Sequence, residues 1–280
     1  MNSDSEVYFH LGFPKVASTY FQNIVFPRLK DLTFFTKHQF NVYKKFDKSQ
    51  EKGKILFSLE HHLNIIEKVE EIIKIYPQAK IILFVRRQDD WILSRYKYSI
   101  RKHNRTDFNN FFNLKNTGIW KRESLFFGEI IKEITKRCNT QVLVLTYDLL
   151  KKDPEKFIDL LLSYIGTSIN QEKLKEQGIN VAFNEKQLII LRKWNRIYPY
   201  TKREIKNLRN KIHYKYREFL LHTVAFFAQF IPLVFIREKK FLSEKDEENL
   251  MHIREYYAVD WEYCLEVEKK CMELLYGKKI

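Results

Sequence analysis

The chain has few of the residues that mark disulfide-rich or loop-rich proteins: its 280 residues include three cysteines, seven glycines and six prolines. This low and odd number of cysteines, with no close pair at metal-ligand spacing, excludes a disulfide framework and predicts a reducing, cytoplasmic compartment. Cys264 and Cys271 lie seven residues apart on one face of a predicted helix, where we expect buried, inert thiols. The scarcity of glycine and proline argues against a linker-rich or disordered chain.

Acidic residues are also in deficit. The chain has 50 lysines and arginines against 35 aspartates and glutamates, which gives a net charge of +15 and a pI near 9.5. Such a charge favours an anionic partner, whether nucleic acid, acidic lipid, acidic glycan or phosphorylated nucleotide, without choosing among them. With 45% hydrophobic residues, the chain has enough apolar side chains for one well-buried domain over residues 1–280. Residues 1–6 are polar and show no signal-peptide pattern, and we expect none.

Short apolar runs alternate with helical patterns over residues 1–170. The predicted strands are Val7–Gly12, Lys54–Leu59, Ala79–Val85 and Gln141–Tyr147. The predicted helices are Ala17–Leu29, Leu63–Tyr76, one capped by Asp89 or Asp90 and ending near His103, Trp120–Cys138, and one from Asp153-Pro154 to Gly166. This alternation predicts an α/β fold with a parallel sheet and helices on both faces, in which ligands bind at the carboxyl ends of the strands. Residues 171–280 predict a helical C-terminal region.

The segment after the first strand, Gly12-Phe13-Pro14-Lys15-Val16-Ala17-Ser18-Thr19, predicts an anion site. A loop that leads from a strand into a helix directs several backbone N–H groups at one point, and the helix dipole adds partial positive charge there. Lys15 adds a full positive charge, and Ser18 and Thr19 add hydroxyl donors. The segment therefore suits a phosphate or sulfate group, with an ordinary turn and a capping serine as the alternative.

A second candidate anion site follows the third predicted strand. Arg86 and Arg87 end that strand, and Ser94 lies in the first turns of the next predicted helix, eight residues after Arg86. An arginine fork and a serine hydroxyl can hold one phosphate from two sides. Taken alone, these residues are also consistent with ordinary surface charge.

A nucleotide kinase and a basic nucleic-acid-binding protein without catalysis are the rival interpretations. A Walker A loop has its lysine directly before the Ser/Thr that binds Mg²⁺, whereas Lys15 lies three residues before Ser18. The displaced lysine favours an anion that is handled without a metal. The charge permits nucleic acid, but the sequence has no RNP, zinc-finger or clear helix-turn-helix pattern, so we expect no nucleic-acid partner.

Three segments, in order and at suitable spacing, resemble the sulfotransferase family that uses 3′-phosphoadenylyl sulfate (PAPS). They are FPKVASTYFQ, similar to the 5′-phosphosulfate loop PKxGTT, ILFVRRQDDWILSRYKYSIR, similar to the 3′-phosphate segment, and VLVLTYDLLKKDPEKFIDLLLSYIG, similar to the strand and helix that follow. The resemblance covers residues 7–166 and is closest to bacterial carbohydrate-type members. It implies a P-loop-like, three-layer α/β/α fold with a nucleotide-binding core over 1–170 and an acceptor-side extension over 171–280.

The resemblance also implies a role for each matching residue. Lys15 would contact the 5′-phosphosulfate and stabilise the leaving phosphate. Arg86 and Ser94 would bind the 3′-phosphate, which distinguishes PAPS from ATP. The residues that would hold the phosphosulfate together with Lys15 are Val16, Ala17, Ser18, Thr19 and Tyr20. No metal is implied.

The acceptor hydroxyl needs a general base, and family members use Glu or His near the end of the second strand. This implies Glu60, with His61 as the runner-up and His62 as the third candidate. Capping of the next helix is the alternative interpretation of Glu60.

Two departures from the family pattern have consequences. Ala17 stands where the family usually has glycine, and an alanine there costs about 1 kcal/mol or more if the position needs positive φ. Ser18 replaces the first threonine and keeps the hydroxyl. The Arg-Lys-Gly and Gly-Asp-Trp signature of steroid- and phenol-sulfating members is absent, which favours a carbohydrate or glycolipid acceptor over a small phenol.

The last third of the chain contains a basic stretch followed by an apolar one. Arg192–Arg217 has ten lysines and arginines and one acid, and Phe219–Ile236 is 18 residues long. The first is consistent with a solvated helix face, a groove for an acidic glycan or a membrane-binding surface. The second is consistent with a packed helix, an interfacial segment or a short membrane span. Together they suggest peripheral contact with an anionic membrane, at its inner face, through residues 192–236.

Overall fold

The computed structural model of the chain describes residues 5–43, 53–60, 64–169, 183–198, 208–231 and 240–277. The chain divides into two compact units. The first contains Met1–Gln88, Glu123–Asn180 and Tyr256–Ile280, and the second contains Asp89–Arg122 and Val181–Glu255. The division of a single domain at residue 170 stays a prediction.

A five-stranded parallel sheet forms the centre of the first unit. Its strands are β1 (Ser5–His10), β2 (Leu32–Thr36), β3 (Gly53–Ser58), β4 (Lys80–Val85) and β5 (Leu143–Thr146). Their order is β2-β3-β1-β4-β5, and every adjacent pair is parallel. The winding direction therefore changes between β1 and β4, which is where ligand crevices form in such sheets. The predicted α/β class is confirmed, and the edge strand β2 adds to the four predicted strands.

Helices belong to both units. Those of the first unit are α1 (Ser18–Tyr20), α2 (Lys37–Tyr43), α3 (Ile65–Ile75), α6 (Phe127–Arg137), α7 (Tyr147–Lys152), α8 (Pro154–Ile165) and α12 (Ala258–Tyr276). Those of the second unit are α4 (Gln88–Arg101), α5 (Phe108–Phe111), α9 (Glu185–Ile197), α10 (Leu208–Ala228) and α11 (Glu244–Tyr256). The first residue of α4, Gln88, and the last residue of α11, Tyr256, belong to the first unit.

Alternate side chains of β1 are buried on opposite faces of the sheet. On one face, Phe9 packs against Phe40 of α2 and Tyr76 after α3, with ring centroids 5.5 and 5.6 Å apart. On the other face, the ring of His10 lies 5.3 Å from that of Phe26. Helical segments thus cover both faces, which is the predicted three-layer arrangement.

The helix boundaries agree with the sequence best where capping residues are strong. Helix α8 begins at Pro154 after Asp153, whose carboxylate accepts from the Lys156 amide, and it ends at Gly166 in a left-handed conformation, as predicted. The predicted cap of α4 is wrong. The helix begins at Gln88, so Asp89 and Asp90 lie in its first turn, where they still favour the helix dipole.

Two further helix predictions differ in detail. The region predicted as Ala17–Leu29 is helical from Ser18 but changes form, because α1 continues as a π-helix (Phe21–Val25) and a 3-10 turn (Phe26–Arg28). The region predicted as Trp120–Cys138 forms α6 only from Phe127, after a separate 3-10 turn.

The cysteines of α12 are buried, as predicted. The thiol of Cys271 donates to the Val142 carbonyl, with a sulfur–oxygen distance of 3.5 Å. Cys138 is half-buried, and burial raises its pKa to about 11, so that its thiol stays protonated at neutral pH. The three thiols are free.

The apolar stretch of the last third is described only up to residue 231, and α10 ends before that, at Ala228. None of the helices within the described part of the chain has the length and apolar character needed to cross a membrane.

Candidate functional site

The loop after β1 and the end of β4 meet at the carboxyl edge of the sheet. The Leu11 amide donates to the Ile82 carbonyl at 2.9 Å, which extends the contact between the two strands. Beyond it, Nη1 of Arg86 donates to the backbone carbonyl of Lys15 at 3.2 Å. The structure thus brings Arg86, one residue of the second predicted anion site, to the loop of the first, although the two are separated by about 70 residues in the sequence.

The backbone of the loop contains two non-glycine residues with positive φ, Lys15 at 74° and Ala17 at 65°. Ala17 is in the left-handed helical region and directly precedes α1. The position therefore has the positive φ on which the expected cost of alanine depends, and for an L-residue that cost is about 1–2 kcal/mol. A left-handed residue next to a right-handed one makes successive backbone N–H groups converge, which is a common geometry for binding an anion.

The other predicted loop residues differ in exposure. Val16 is buried, Tyr20 is half-buried, and Thr19 is exposed. Burial raises the pKa of the Tyr20 hydroxyl. Ser18 is only 2% exposed, and within the described residues its Oγ has no hydrogen-bond partner. Leaving a buried hydroxyl unpaired costs about 1–3 kcal/mol, so Ser18 Oγ is a donor that a bound ligand could satisfy.

Arg86 also contacts the end of β5. Its guanidinium carbon lies 4.4 Å from the ring centroid of Tyr147, the first residue after that strand. The Nε donor of Arg86 is buried and has no partner among the residues described. Tyr147 was not among the predicted site residues. Its signal in the sequence is its position directly after a buried strand, at the edge where ligands bind.

Ser94 lies half-buried in the second turn of α4, in the second unit. Its predicted role beside Arg86 stays a prediction.

Glu60 is half-buried, two residues after β3 ends, and its backbone carbonyl accepts from Nζ of Lys37 at 3.3 Å. The N-cap position of α3 is Asn64, so Glu60 is not the N-cap residue of that helix. His61 and His62, the alternative bases, lie outside the described residues.

Within the ranges that the structure describes, no group of three or more His, Cys, Asp or Glu side chains is arranged to hold a metal ion.

Comparison with known proteins gives one family match. Residues 9–218 match the model of the sulfotransferase domain. No curated protein matches the chain. Among solved structures, a sulfotransferase from Alicyclobacillus acidocaldarius is similar with a TM-score of 0.48 and 12% identity, covering 62% of this chain and 86% of that one. A mouse sulfotransferase complexed with PAP is similar with a TM-score of 0.44 and 19% identity. That match covers 61% of this chain and 62% of the mouse chain.

Proposed function

Because the chain belongs to the sulfotransferase domain family, we propose that it transfers a sulfuryl group from PAPS to a hydroxyl of a carbohydrate, in the form of a glycan, polysaccharide or glycolipid. The chain is a sulfotransferase, and PAPS is the general donor of its family. One observation carries the proposal for the donor: the hydrogen bond from Arg86 to the Lys15 carbonyl, which joins the loop of the first predicted anion site to the arginine of the second.

The residues fit a nucleotide that carries two separate anionic groups. The loop offers a lysine, backbone N–H groups turned by a left-handed residue, and the buried hydroxyl of Ser18, which is unpaired among the residues that the structure describes. We assign these groups, with Val16, Thr19 and Tyr20, to the 5′-phosphosulfate. Arg86 has an unused Nε donor, and we assign it with Ser94 to the 3′-phosphate.

In the proposed reaction a base removes the proton of the acceptor hydroxyl as its oxygen attacks sulfur. A new S–O bond forms, the bond between sulfur and the bridging phosphate oxygen breaks, and PAP leaves with that electron pair. Transfer of this kind is in-line and loose, so positioning and charge stabilisation supply most of the catalysis. Lys15 is the residue that we place at the leaving phosphate, and Glu60 is the base that we favour, with His61 as the alternative.

Calorimetric binding of PAP, the desulfated nucleotide, tests the donor. We expect PAP to bind the full chain at micromolar concentration and ATP to bind poorly. Arg86→Ala should weaken PAP binding at least about tenfold, which is about 1.4 kcal/mol. Arg87→Ala removes the same charge one residue further on and serves as the matched control, with a loss below about threefold.

Because Arg86 also holds the Lys15 carbonyl, its removal could disturb the loop itself. ADP, which lacks a 3′-phosphate, separates the two effects. If Arg86 binds the 3′-phosphate, Arg86→Ala weakens PAP binding far more than ADP binding. An equal loss for both nucleotides contradicts the assignment, and absence of PAP binding with tight, Mg²⁺-dependent ATP binding favours the kinase interpretation.

The base is tested by turnover with PAPS and an acceptor found in a carbohydrate screen. Glu60→Gln should lower kcat by about 10²–10⁴-fold and leave PAP affinity unchanged. Glu67→Gln, on the exposed side of α3, is the control. If only His61→Gln lowers kcat, the neighbouring histidine is the base.

We also propose peripheral contact with an anionic membrane through residues 192–236, and the described part of α10 supports it. Residues three or four apart lie on one face of a helix. Large apolar side chains, each more than half exposed, follow that spacing along α10 and just beyond it: Ile212, Tyr216, Phe219, Phe226 and Phe230. The exposed Lys211 and Lys215 flank this face.

The charge of α10 matches an anionic lipid surface. The acid of its middle, Glu218, is bonded to Lys102 at 2.6 Å, which neutralises it. A helix with an exposed apolar face and flanking lysines can lie in the interface with its apolar side chains in the acyl boundary and its lysines at the headgroups. An acceptor carried on a lipid would then be accessible to the enzyme.

Sedimentation with vesicles tests this surface. The full chain should bind phosphatidylserine-containing vesicles, less so as salt increases, and bind neutral phosphatidylcholine vesicles weakly. The double variant Phe219→Ser and Phe226→Ser should bind at least about tenfold more weakly, because it removes two aromatic rings that would be buried in the membrane. Val259→Ser changes an exposed apolar residue of the first unit and is the control. Salt-insensitive binding, or no binding, contradicts the proposal.

A further inference from the structure

A cleft lies in the first unit between the start of α6 and the first half of α12. Its volume is about 400 Å³, which is within the usual range of sites for small molecules. Three aromatic side chains line it: Phe126, which directly precedes α6, Tyr256 and Tyr263. The rings of Phe126 and Tyr256 are neighbours, with centroids 6.1 Å apart. The cleft therefore offers aromatic surface to a ligand.

The cleft is acidic, although the chain as a whole has a net charge of +15. Four of its lining residues carry a carboxylate, namely Glu129, Asp260, Glu262 and Glu266, and Lys132 carries an ammonium group. Glu262 and Glu266 are exposed, and neither makes a hydrogen bond or an ion pair with another residue in the part of the chain that the structure describes. The local charge thus favours a cation, in contrast to the field of the whole chain.

One ammonium group already lies in the cleft. Nζ of Lys132 is 4.5 Å from the ring centroid of Tyr263 and 2.8 Å from Oε1 of Glu129. An aromatic ring that faces a cation is the arrangement by which proteins recognise organic ammonium ions. The side chain of Lys132 is 40% exposed, so water can solvate its ammonium group when a ligand takes its place over the ring.

An inorganic cation fits the cleft less well than an organic one. Within the described ranges, no group of three or more His, Cys, Asp or Glu side chains is arranged to hold a metal ion, and the carboxylates of the cleft are included in that statement. The aromatic rings supply apolar contact, which a hydrated metal ion does not use and a carbon skeleton does.

We propose that the cleft is a binding site for an organic ammonium compound. Its ammonium group would lie at the ring of Tyr263 and the carboxylates of Glu262 and Glu266, and its carbon skeleton would pack on the rings of Phe126 and Tyr256. This site differs from the proposed nucleotide site in the sign of the charge that it selects, and none of the residues assigned to the nucleotide lines it.

Ligand-observed NMR with two probes of the same shape tests the selectivity for charge. Phenethylamine is the ammonium probe, and 2-phenylethanol is its neutral counterpart. At low salt and neutral pH, phenethylamine should bind the full chain at about millimolar concentration or below. The alcohol should bind at least about fivefold more weakly, because it leaves the carboxylates without a cation. Equal affinity for the two probes, or no binding of phenethylamine, overturns the inference.

Three variants place the binding in the cleft. The double variant Glu262→Gln and Glu266→Gln should weaken phenethylamine binding at least about fivefold. Glu273→Gln removes an exposed carboxylate further along the same helix and is the control, with a loss below about twofold. Lys132→Met removes the competing ammonium group and should strengthen binding about threefold, a change opposite to that of the double variant.

An equal loss in the double variant and in Glu273→Gln would mean that the probe responds to charge in general, and it contradicts the proposed site. Weaker binding to Lys132→Met contradicts the proposed position of the ammonium group over Tyr263. Calorimetry with PAP keeps this inference separate from the proposed function. The double variant should bind PAP within about twofold of the wild type, and a loss of more than about tenfold would mean that the cleft belongs to the nucleotide site and is not a separate one.

Discussion

Two regions at the carboxyl edge of the sheet differ in whether their buried hydrogen-bond donors have acceptors. At the end of β5, the amide and the hydroxyl of Thr146 both donate to the carboxylate of Glu268 in α12, at 2.5 and 3.1 Å. At the end of β1, the loop contains Ser18, whose Oγ has no partner among the described residues. The buried donors after β5 therefore have a protein acceptor, whereas the buried hydroxyl after β1 has none among the described residues.

Several hydrogen bonds connect α12 to the rest of the first unit. Asp260 accepts from the amides of Gly128 and Glu129 at the start of α6, at 3.0 and 3.3 Å, and from Nε2 of Gln88 at 2.7 Å. A Cβ on Gly128 would lie 2.8 Å from Oδ1 of Asp260, so glycine permits this close approach. Every one of these groups stabilises the fold without a ligand.

The loop after β1 combines the opposite features. It has positive φ at Lys15 and Ala17 and a buried hydroxyl that has no partner within the part of the chain that the structure describes. Strain and unpaired donors persist only where the surrounding structure enforces them, and they are concentrated at functional sites. The hydrogen bonds of α12 thus stabilise the fold, whereas the loop has the features expected of the binding site that we propose.

The largest expected effect comes from removing the charge of the loop. Lys15→Ala should lower kcat by about 10²–10³-fold, the usual cost of losing one group that stabilises transition-state charge. Stability should change little, because the substitution keeps the same backbone strain. Turnover with saturating PAPS and thermal denaturation measure the two quantities. Lys74→Ala, an exposed lysine of α3, is the control. A loss below about threefold for Lys15→Ala would place the leaving phosphate elsewhere.

The sequence predicts the parts of this loop but not its neighbours. The glycine, lysine and hydroxyl residues after an apolar strand are local features, so their clustering is visible in the sequence. Tyr147 contacts Arg86 and His10 contacts Ser58, each across neighbouring strands, and these contacts depend on the strand order. The edge strand β2 is only partly buried, so its apolar pattern is weak. The sequence predicts a positive φ at Ala17 only indirectly, because the family usually has glycine at that position.

An intermediate effect is expected at the hydrogen bonds of α12. Glu268→Ala leaves two buried donors of Thr146 without an acceptor, and it should destabilise the protein by about 2–4 kcal/mol. Glu268→Gln keeps one acceptor oxygen, and its amide can donate to the Thr146 hydroxyl, so it should cost less. Chemical denaturation at pH 7 measures both variants. Equal destabilisation would mean that the charge of Glu268, and not its hydrogen bonds, stabilises this contact.

The dependence on pH sharpens this second test. Burial raises the pKa of Glu268 above its ordinary value of about 4.5, and the hydrogen bonds from Thr146 only partly oppose the shift. A carboxyl with a raised pKa in the folded state adds stability below its unfolded pKa, and this contribution is lost as pH rises through the folded pKa. The wild type should therefore lose stability relative to Glu268→Gln as pH rises from about 4 toward neutrality. An opposite trend would contradict the raised pKa.

The smallest expected effect concerns the strained backbone of the loop. Ala17→Gly removes the penalty of a left-handed alanine, of about 1–2 kcal/mol, and gives back part of it as chain entropy of the unfolded state. A net gain of about 1 kcal/mol should raise Tm by about 2–4 °C. Ala225→Gly makes the same chemical change within the right-handed helix α10 and should lower Tm, because glycine is about 1 kcal/mol less favourable there. PAP affinity should stay within about twofold for Ala17→Gly, since the glycine can keep the left-handed geometry. If both variants lower Tm, position 17 is not strained. The difference between the loop and the hydrogen-bonded contacts of α12 would then rest on the unpaired hydroxyl of Ser18 alone.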